Sequence, residues 1–465
     1  MEEPTVEPTI ETIEEGQEDF CSVVEEESGV LERIIEEEEP PDVDSILIPT
    51  TINLKVAGLI VKNKKGRFGW IALYSFLVVV VTFAWVAKYT YVAYDENSTF
   101  GPKLITKVML NYFYGQVCIL SVVFIISMAR NFHSFSTRWN DYKKEFKGSD
   151  AHRMRSFATK LTAIFNVVYV AAAGAFNLYF LFHPFDMMQH LPKPFYNEWP
   201  IPFYILLPAM FVATFITYIW IQPVFFLTIV IVLLRMEFKD LTRDFRFVTL
   251  PPVDHLDIVK KDAHFLHVED FRKRHLALTR LARKLDGMMS MTLMLAYMTD
   301  IILVLAYFFV IIFIPTYGSL WDEGADDLIL TCFVTLVALG GHLMAMTLCG
   351  SLLSRAPFFM KQAILDLDAR HLNPQQSFSL QMFLSRLDHD YIGLTIWRMV
   401  RIDRPIMFTV FALVLSYVVL IVKFGIMLTH KKEIEQLNSM SPTSQAFSDS
   451  TISGSFDHLF NSTGL

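Results

Sequence analysis

Two ionisable residues stand in the middle of long apolar runs: Asp300 within "MTDIILVL" and His342 within "LGGHLM". A carboxylate in hydrocarbon is costly alone, so it calls for a partner, and an imidazole at matching depth is the obvious one. Such a pair could form the floor of a ligand pocket or a proton-sensitive coupling element. It could equally be a satisfied buried pair that only packs. A third charge, Lys423, lies in the apolar stretch "SYVVLIVKF" (Ser416–Phe424). Its stem can snorkel to lipid headgroups, or its ammonium can face a water-filled lumen. Enzymatic chemistry has no foothold: the chain carries no P-loop, no GxSxG, no HExxH and no paired carboxylates in a plausible cleft. Its four cysteines form no CxxC or Cys/His cluster. No metal, cofactor or nucleic-acid partner is expected.

The elements that must position these residues are membrane spans. Of 465 residues, 53% are hydrophobic and 19% charged, too apolar for an ordinary soluble protein. Seven segments have the roughly 20 apolar residues a span requires. They are residues 68–92, 104–128, 158–182, 201–234, 288–314, 328–353 and 405–428. The net charge of −8 hides an uneven distribution, because residues 1–45 hold 18 acidic side chains and one basic one, Arg33. That composition reads as disorder, so residues 1–54 are assigned to a disordered acidic cytoplasmic tail. Residues 55–430 form the seven-helix domain, and 431–465 a flexible extracellular tail.

Loop charges set the orientation. Twelve Lys/Arg lie between Arg235 and Lys284 and seven between Arg355 and Arg404, whereas the alternate loops hold only Lys103 and Lys107, then Lys193, then none. The N-terminus is therefore predicted inside and the C-terminus outside. Both sequons, at Asn97 and Asn461, then fall outside as glycosylation candidates. This topology, with no DRY, no NPxxY and no outside cysteine pair, argues against a G-protein-coupled receptor. Helical patterning continues through the basic loops, at residues 233–245, 269–301 and 378–400, which predicts helical cytoplasmic extensions forming a platform for subunit contact. "AAAGA" (Ala171–Ala175) predicts close helix packing.

At this point the chain resembles the insect-type gustatory receptors and their gustatory-receptor-like relatives. That family's C-terminal signature is TYhhhhhQF, where h is hydrophobic. Here Ser416-Tyr417, five apolar residues and Lys423-Phe424 keep the spacing and replace the glutamine with a lysine. "GLTIWRMVRIDRPIMF" (Gly393–Phe408) is similar to the family's approach to its last span. The resemblance implies an all-α, homotetrameric, ligand-gated cation channel in the plasma membrane. Its last span would line a central pore, and a small-molecule pocket would lie in the outer half of each helix bundle. Ser416, Tyr417, Val419, Leu420, Lys423 and Phe424 are then the pore and gate candidates. Ser416, Val419, Leu420 and Lys423 share one helical stripe, and an apolar constriction at Val419 and Leu420 could gate by dewetting. A ring of lysines at 423 would repel the permeating cations. The pocket candidates are Asn111, Tyr112, Tyr114, Gln116, Asn177, Tyr179, Tyr204 and Tyr307, amides and polar-tipped aromatics suited to a partly polar ligand. Aromatics also anchor spans at membrane interfaces. A non-conducting or transporter-like protein on the same architecture is the alternative, and the lack of an internal repeat lowers it.

Overall fold

A computed structural model describes residues 43–60, 70–95, 102–146, 150–182, 203–249, 258–316, 325–366, 374–389 and 392–440. Eleven helices and one two-stranded hairpin occur among them. In chain order they are α1 (Val43–Ile46), α2 (Ile48–Val56), α3 (Trp70–Asp95), α4 (Pro102–Phe146), α5 (Ala151–Phe182) and α6 (Phe203–Thr249). Next come α7 (Ile258–Thr316), α8 (Ala325–Arg355), α9 (Phe358–Leu365), α10 (Pro374–His389), β1 (Thr395–Ile396), β2 (Val400–Arg401) and α11 (Arg404–Met440). Seven of them, α3 to α8 and α11, are long and apolar enough to cross a membrane.

The bundle has a core helix and a rim. In its most apolar stretch α6 is 72% buried, against 6% for α5 and 6% for α11. Phe226, Ile229, Val230, Ile231, Leu233 and Leu234 of α6 are wholly buried, and the helix as a whole contacts α4, α7 and α8. On α5, Ile164, Val167, Val168 and Val170 are exposed, the surface expected of a helix that meets lipid tails. The small-residue run in α5 also faces outward: Ala171, Ala172, Gly174 and Ala175 are exposed, and a Cβ on Gly174 would meet nothing within 4 Å. The predicted close packing there is not seen among the described residues, whose neighbouring helices lie on the other side of α5.

Helices α4, α6 and α7 run past their apolar stretches at one end, where the lysines and arginines of the loops gather; it is called the basic end below. Here polar contacts take over from apolar packing. Lys143 of α4 pairs with the fully buried Glu237 of α6 and lies 3.3 Å from Met154 Sδ of α5. Arg274 of α7 reaches Asp244 of α6 at 3.2 Å and donates to the Tyr142 hydroxyl at 3.3 Å. A buried charge persists only when paired in this way.

The structure moves three predicted boundaries. Residues 1–42 lie outside the described residues, but 43–54, assigned to the acidic tail, form α1 and most of α2. Val43, Ile46, Leu47 and Leu54 are wholly buried, because the acidic run ends just where apolar residues begin to recur. The Val43 amide donates to Asn140 Oδ1 at 2.7 Å, and Ser136 donates to Asp44 Oδ1 at 2.6 Å. Helix α2 ends at Gly58, whose φ of +70° is left-handed, with Leu59 N–H bonded to the Leu54 carbonyl at 2.8 Å. A Cβ on Gly58 would lie 2.8 Å from Val78 Cγ2, so glycine also allows α2 to close on α3. At the other end, α11 continues to Met440, so residues 431–440 are helix rather than tail. The helix predicted over 378–400 stops at His389; Thr395–Ile396 and Val400–Arg401 pair antiparallel instead.

Candidate functional site

The two mid-span residues come together. Asp300 of α7 and His342 of α8 are both buried, with His342 Nδ1 2.6 Å from Asp300 Oδ2. The carboxylate's other oxygen accepts from Gln116 Nε2 of α4, also at 2.6 Å. Trp220 of α6 lies over the imidazole, ring centroids 4.3 Å apart. One residue from each of four spans thus meets at a single polar knot. Beside it, the Tyr297 hydroxyl of α7 and Thr347 Oγ1 of α8 are 2.7 Å apart, a second tie between the same two helices. The arrangement can lock four spans together through hydrogen bonds and ring contact. It holds no nucleophile beside a base, and no group of three or more His, Cys, Asp or Glu able to hold a metal occurs among the described residues. Three buried polar atoms around the knot have no hydrogen-bond partner among the described residues: His342 Nε2, Gln116 Oε1 and Trp220 Nε1. Gly340 and Gly341, beside His342, face outward, with nothing within 4 Å of a Cβ on either.

The predicted pocket residues do not converge on one place. Asn111 Nδ2 donates to Thr90 Oγ1 at 3.0 Å, tying α4 to α3. Tyr114 packs edge-on against Trp85 and Phe113 at the same seam, while Tyr112 points out of the bundle. Asn177 Nδ2 donates to Thr214 Oγ1 at 2.9 Å, tying α5 to α6, and Tyr179 is half-buried on α5. Gln116 belongs to the knot, and Tyr307 is buried on α7. The side chain of Tyr204, together with Asn97 and Asn461, lies outside the described residues. An open hollow of about 530 Å³ on α3 is lined by Phe83, Val86, Ala87, Thr90 and Tyr91, so Asn111 touches it through Thr90. A small cavity of about 30 Å³, room for a water or two, lies at the basic end between Arg272, His275, Thr279 and Phe383.

Gln116, expected among the pocket residues, is instead a partner of Asp300, and Trp220 joins the knot from a position that the sequence does not mark. A polar amide in span 2 was the available signal for the first. For Trp220 there was none, since a tryptophan in a span is ordinary.

The last helix shows a different pattern. Its main contacts among the described residues are with α7 and α8, and Val410, Val414, Val418, Ile421 and Gly425, buried or half-buried along its span, form one stripe. A Cβ on Gly425 would sit 3.9 Å from Ile312 of α7. Successive residues turn about 100° around a helix, which puts Lys423 on the opposite side, flanked by Ser416, Val419 and Leu420. All four are exposed, as are Tyr417 and Phe424.

Seven helices apolar enough to cross a membrane, packed around a buried polar knot and ending in one nearly bare helix, make a mostly helical seven-span membrane protein. The chain belongs to the family described as 7tm Chemosensory receptor, whose model matches residues 54–428. Its fold is that of the insect olfactory receptor OR5 from Machilis hrabei, with a TM-score of 0.57 at 10% identity, covering 82% of this chain and 100% of that one. The same receptor in complex with eugenol gives 0.59 at 11% identity, with equal coverage. No curated protein sequence matches the chain.

Proposed function

We propose that this chemosensory receptor is a ligand-gated ion channel of gustatory-receptor-like type, assembled as a homotetramer in the plasma membrane with its N-terminus in the cytoplasm. The observation that carries this reading is the bare face of α11. An ammonium and a hydroxyl, Lys423 and Ser416, point away from the subunit within an apolar span, on a helix whose main contacts among the described residues are with α7 and α8. Charged groups within spans face water-filled cavities or partners far more often than lipid tails. Four copies meeting along this face supply such a cavity, with Val419 and Leu420 as its apolar narrowing. The excess of Lys and Arg at the basic end supports a cytoplasmic placement of that end. The basic-end extensions of α4, α6 and α7 would then carry the subunit contacts.

The ligand is a small molecule. The likeness to a receptor solved with eugenol supports this class, and the chain's own polar seams, Thr90–Asn111 and Thr214–Asn177, offer amide and hydroxyl partners for one. The decisive experiment is cysteine substitution at Leu420 and at Val414 in the expressed receptor. The receptor is challenged with sugars, bitter compounds, carbon dioxide, light and peroxide. A charged thiol reagent is expected to block current through the 420 variant and spare the 414 variant. Current untouched in both, or no current from any stimulus, would leave the non-conducting architecture as the better reading.

A further inference from the structure

The hairpin between α10 and α11 presents apolar and cationic side chains on a rigid mount. Its turn residues Trp397 and Arg398 have φ of 49° and 59°, a left-handed conformation that is unfavourable for side chains larger than glycine. Helix α7 holds the turn in that shape. Thr395 donates to Asp286 Oδ1 through its amide at 2.6 Å and its hydroxyl at 2.9 Å, and the Arg398 amide donates to Ser290 Oγ at 3.1 Å. Gly287, between these anchors, leaves room for the Arg398 guanidinium, which a Cβ would approach to 2.9 Å. Trp397 is left 60% exposed and Met399 80% exposed, with Arg398, Arg401 and Arg404 exposed beside them.

Two helices independently fix the depth of this surface. The apolar run of α7 starts at Met288, between the anchors, and that of α11 starts directly after Arg404. The hairpin therefore lies at the boundary between water and hydrocarbon, where an indole partitions into the headgroup layer. Cationic side chains at that level are attracted to anionic headgroups by their charge. Asp286 accepts from Thr395 and lies within electrostatic reach of Arg398, and Asp403 accepts from the Ile406 amide at 3.4 Å, so three guanidinium groups stand against two carboxylates on this surface. Charge and depth together favour a lipid headgroup over a second protein surface.

We propose that this hairpin is a docking site for anionic phospholipid headgroups, through which the lipid composition of one leaflet acts on the first turn of the last helix. The proposal needs only the seven-span architecture and does not depend on conduction. An arginine near an anionic surface contributes about fivefold in affinity, so removing three costs about a hundredfold. The test is native mass spectrometry of the purified full-length chain with phosphatidylserine and, separately, phosphatidylcholine. The wild-type chain is expected to retain phosphatidylserine preferentially. Changing all three arginines to glutamine should lower that binding about a hundredfold and leave phosphatidylcholine unchanged, while the triple lysine variant keeps most of it. Because the lysine variant preserves charge, its retention of lipid separates loss of the site from loss of folding. A photo-crosslinker at Met399 should label lipid. No preference in the wild type, an undiminished preference in the glutamine variant, or crosslinks joining two chains at Met399 would each overturn the proposal.

Discussion

Helices α6 and α11 have similar composition and opposite circumstances. Both are apolar over a span's length, yet α6 is 72% buried in its most apolar stretch and α11 6%. The difference lies in what surrounds them. Helix α6 contacts α4, α5, α7 and α8 and the basic-end helices α2 and α9, whereas the main contacts of α11 among the described residues are with α7 and α8. In lipid, apolar residues gain little from burial as such, so packing and hydrogen bonds separate core from rim. The core span carries fold stability. The rim span leaves its outer face bare in the subunit.

The comparison can be broken most directly at the knot that the core spans share. Asp300→Ala leaves His342 and Gln116 without their acceptor, and a broken buried pair costs about 3–5 kcal/mol. Surface expression and the melting temperature in detergent should both fall sharply, and an unchanged melting temperature would show that the knot does not hold the spans. Next comes a matched pair of truncations. Phe226→Ala, in the core span, should cost about 3–5 kcal/mol, whereas Phe424→Ala, on the bare face, should stay within about 0.5 kcal/mol in the isolated subunit. Equal losses would mean that α11 is packed after all.

A smaller effect is expected where the rim helix joins the bundle. Gly350 of α8 lies against Ile402, buried just before α11, and a Cβ there would collide with that side chain and its backbone. Gly350→Ala should cost about 1–3 kcal/mol and shift ligand sensitivity, measured as the half-maximal dose for the activating stimulus. Smallest for stability, yet sharpest for function, is Lys423→Gln. The melting temperature should stay put while reversal potential and conductance change. Unaltered permeation in a conducting channel would place Lys423 among the headgroups instead.

The spans were legible because each needs a long apolar run and little else. The Asp300–His342 pairing was legible too, since two costly groups at equal depth must find partners. Gln116 was harder, because an amide can serve a ligand as readily as a neighbouring helix. The hairpin left no mark at all. Left-handed turns usually advertise themselves through glycine or asparagine, and here Trp397 and Arg398 hold one only because Asp286 and Ser290, over a hundred residues earlier, fasten it. Likewise α1 and α2 follow directly on an acidic run, and only Asn140 and Ser136 of α4 reveal where that stretch docks.

Helix α7 is one uninterrupted rod of 59 residues, roughly 89 Å long at about 1.5 Å per residue. Along it stand, in order, the arginine that braces α6, the anchors of the hairpin, the carboxylate of the knot and a buried tyrosine near its far end. On a lever of that length, a tilt of about one degree displaces the tip by roughly 1.5 Å. That is half a hydrogen bond's reach, enough to make or release a contact at one end in response to a small adjustment at the other.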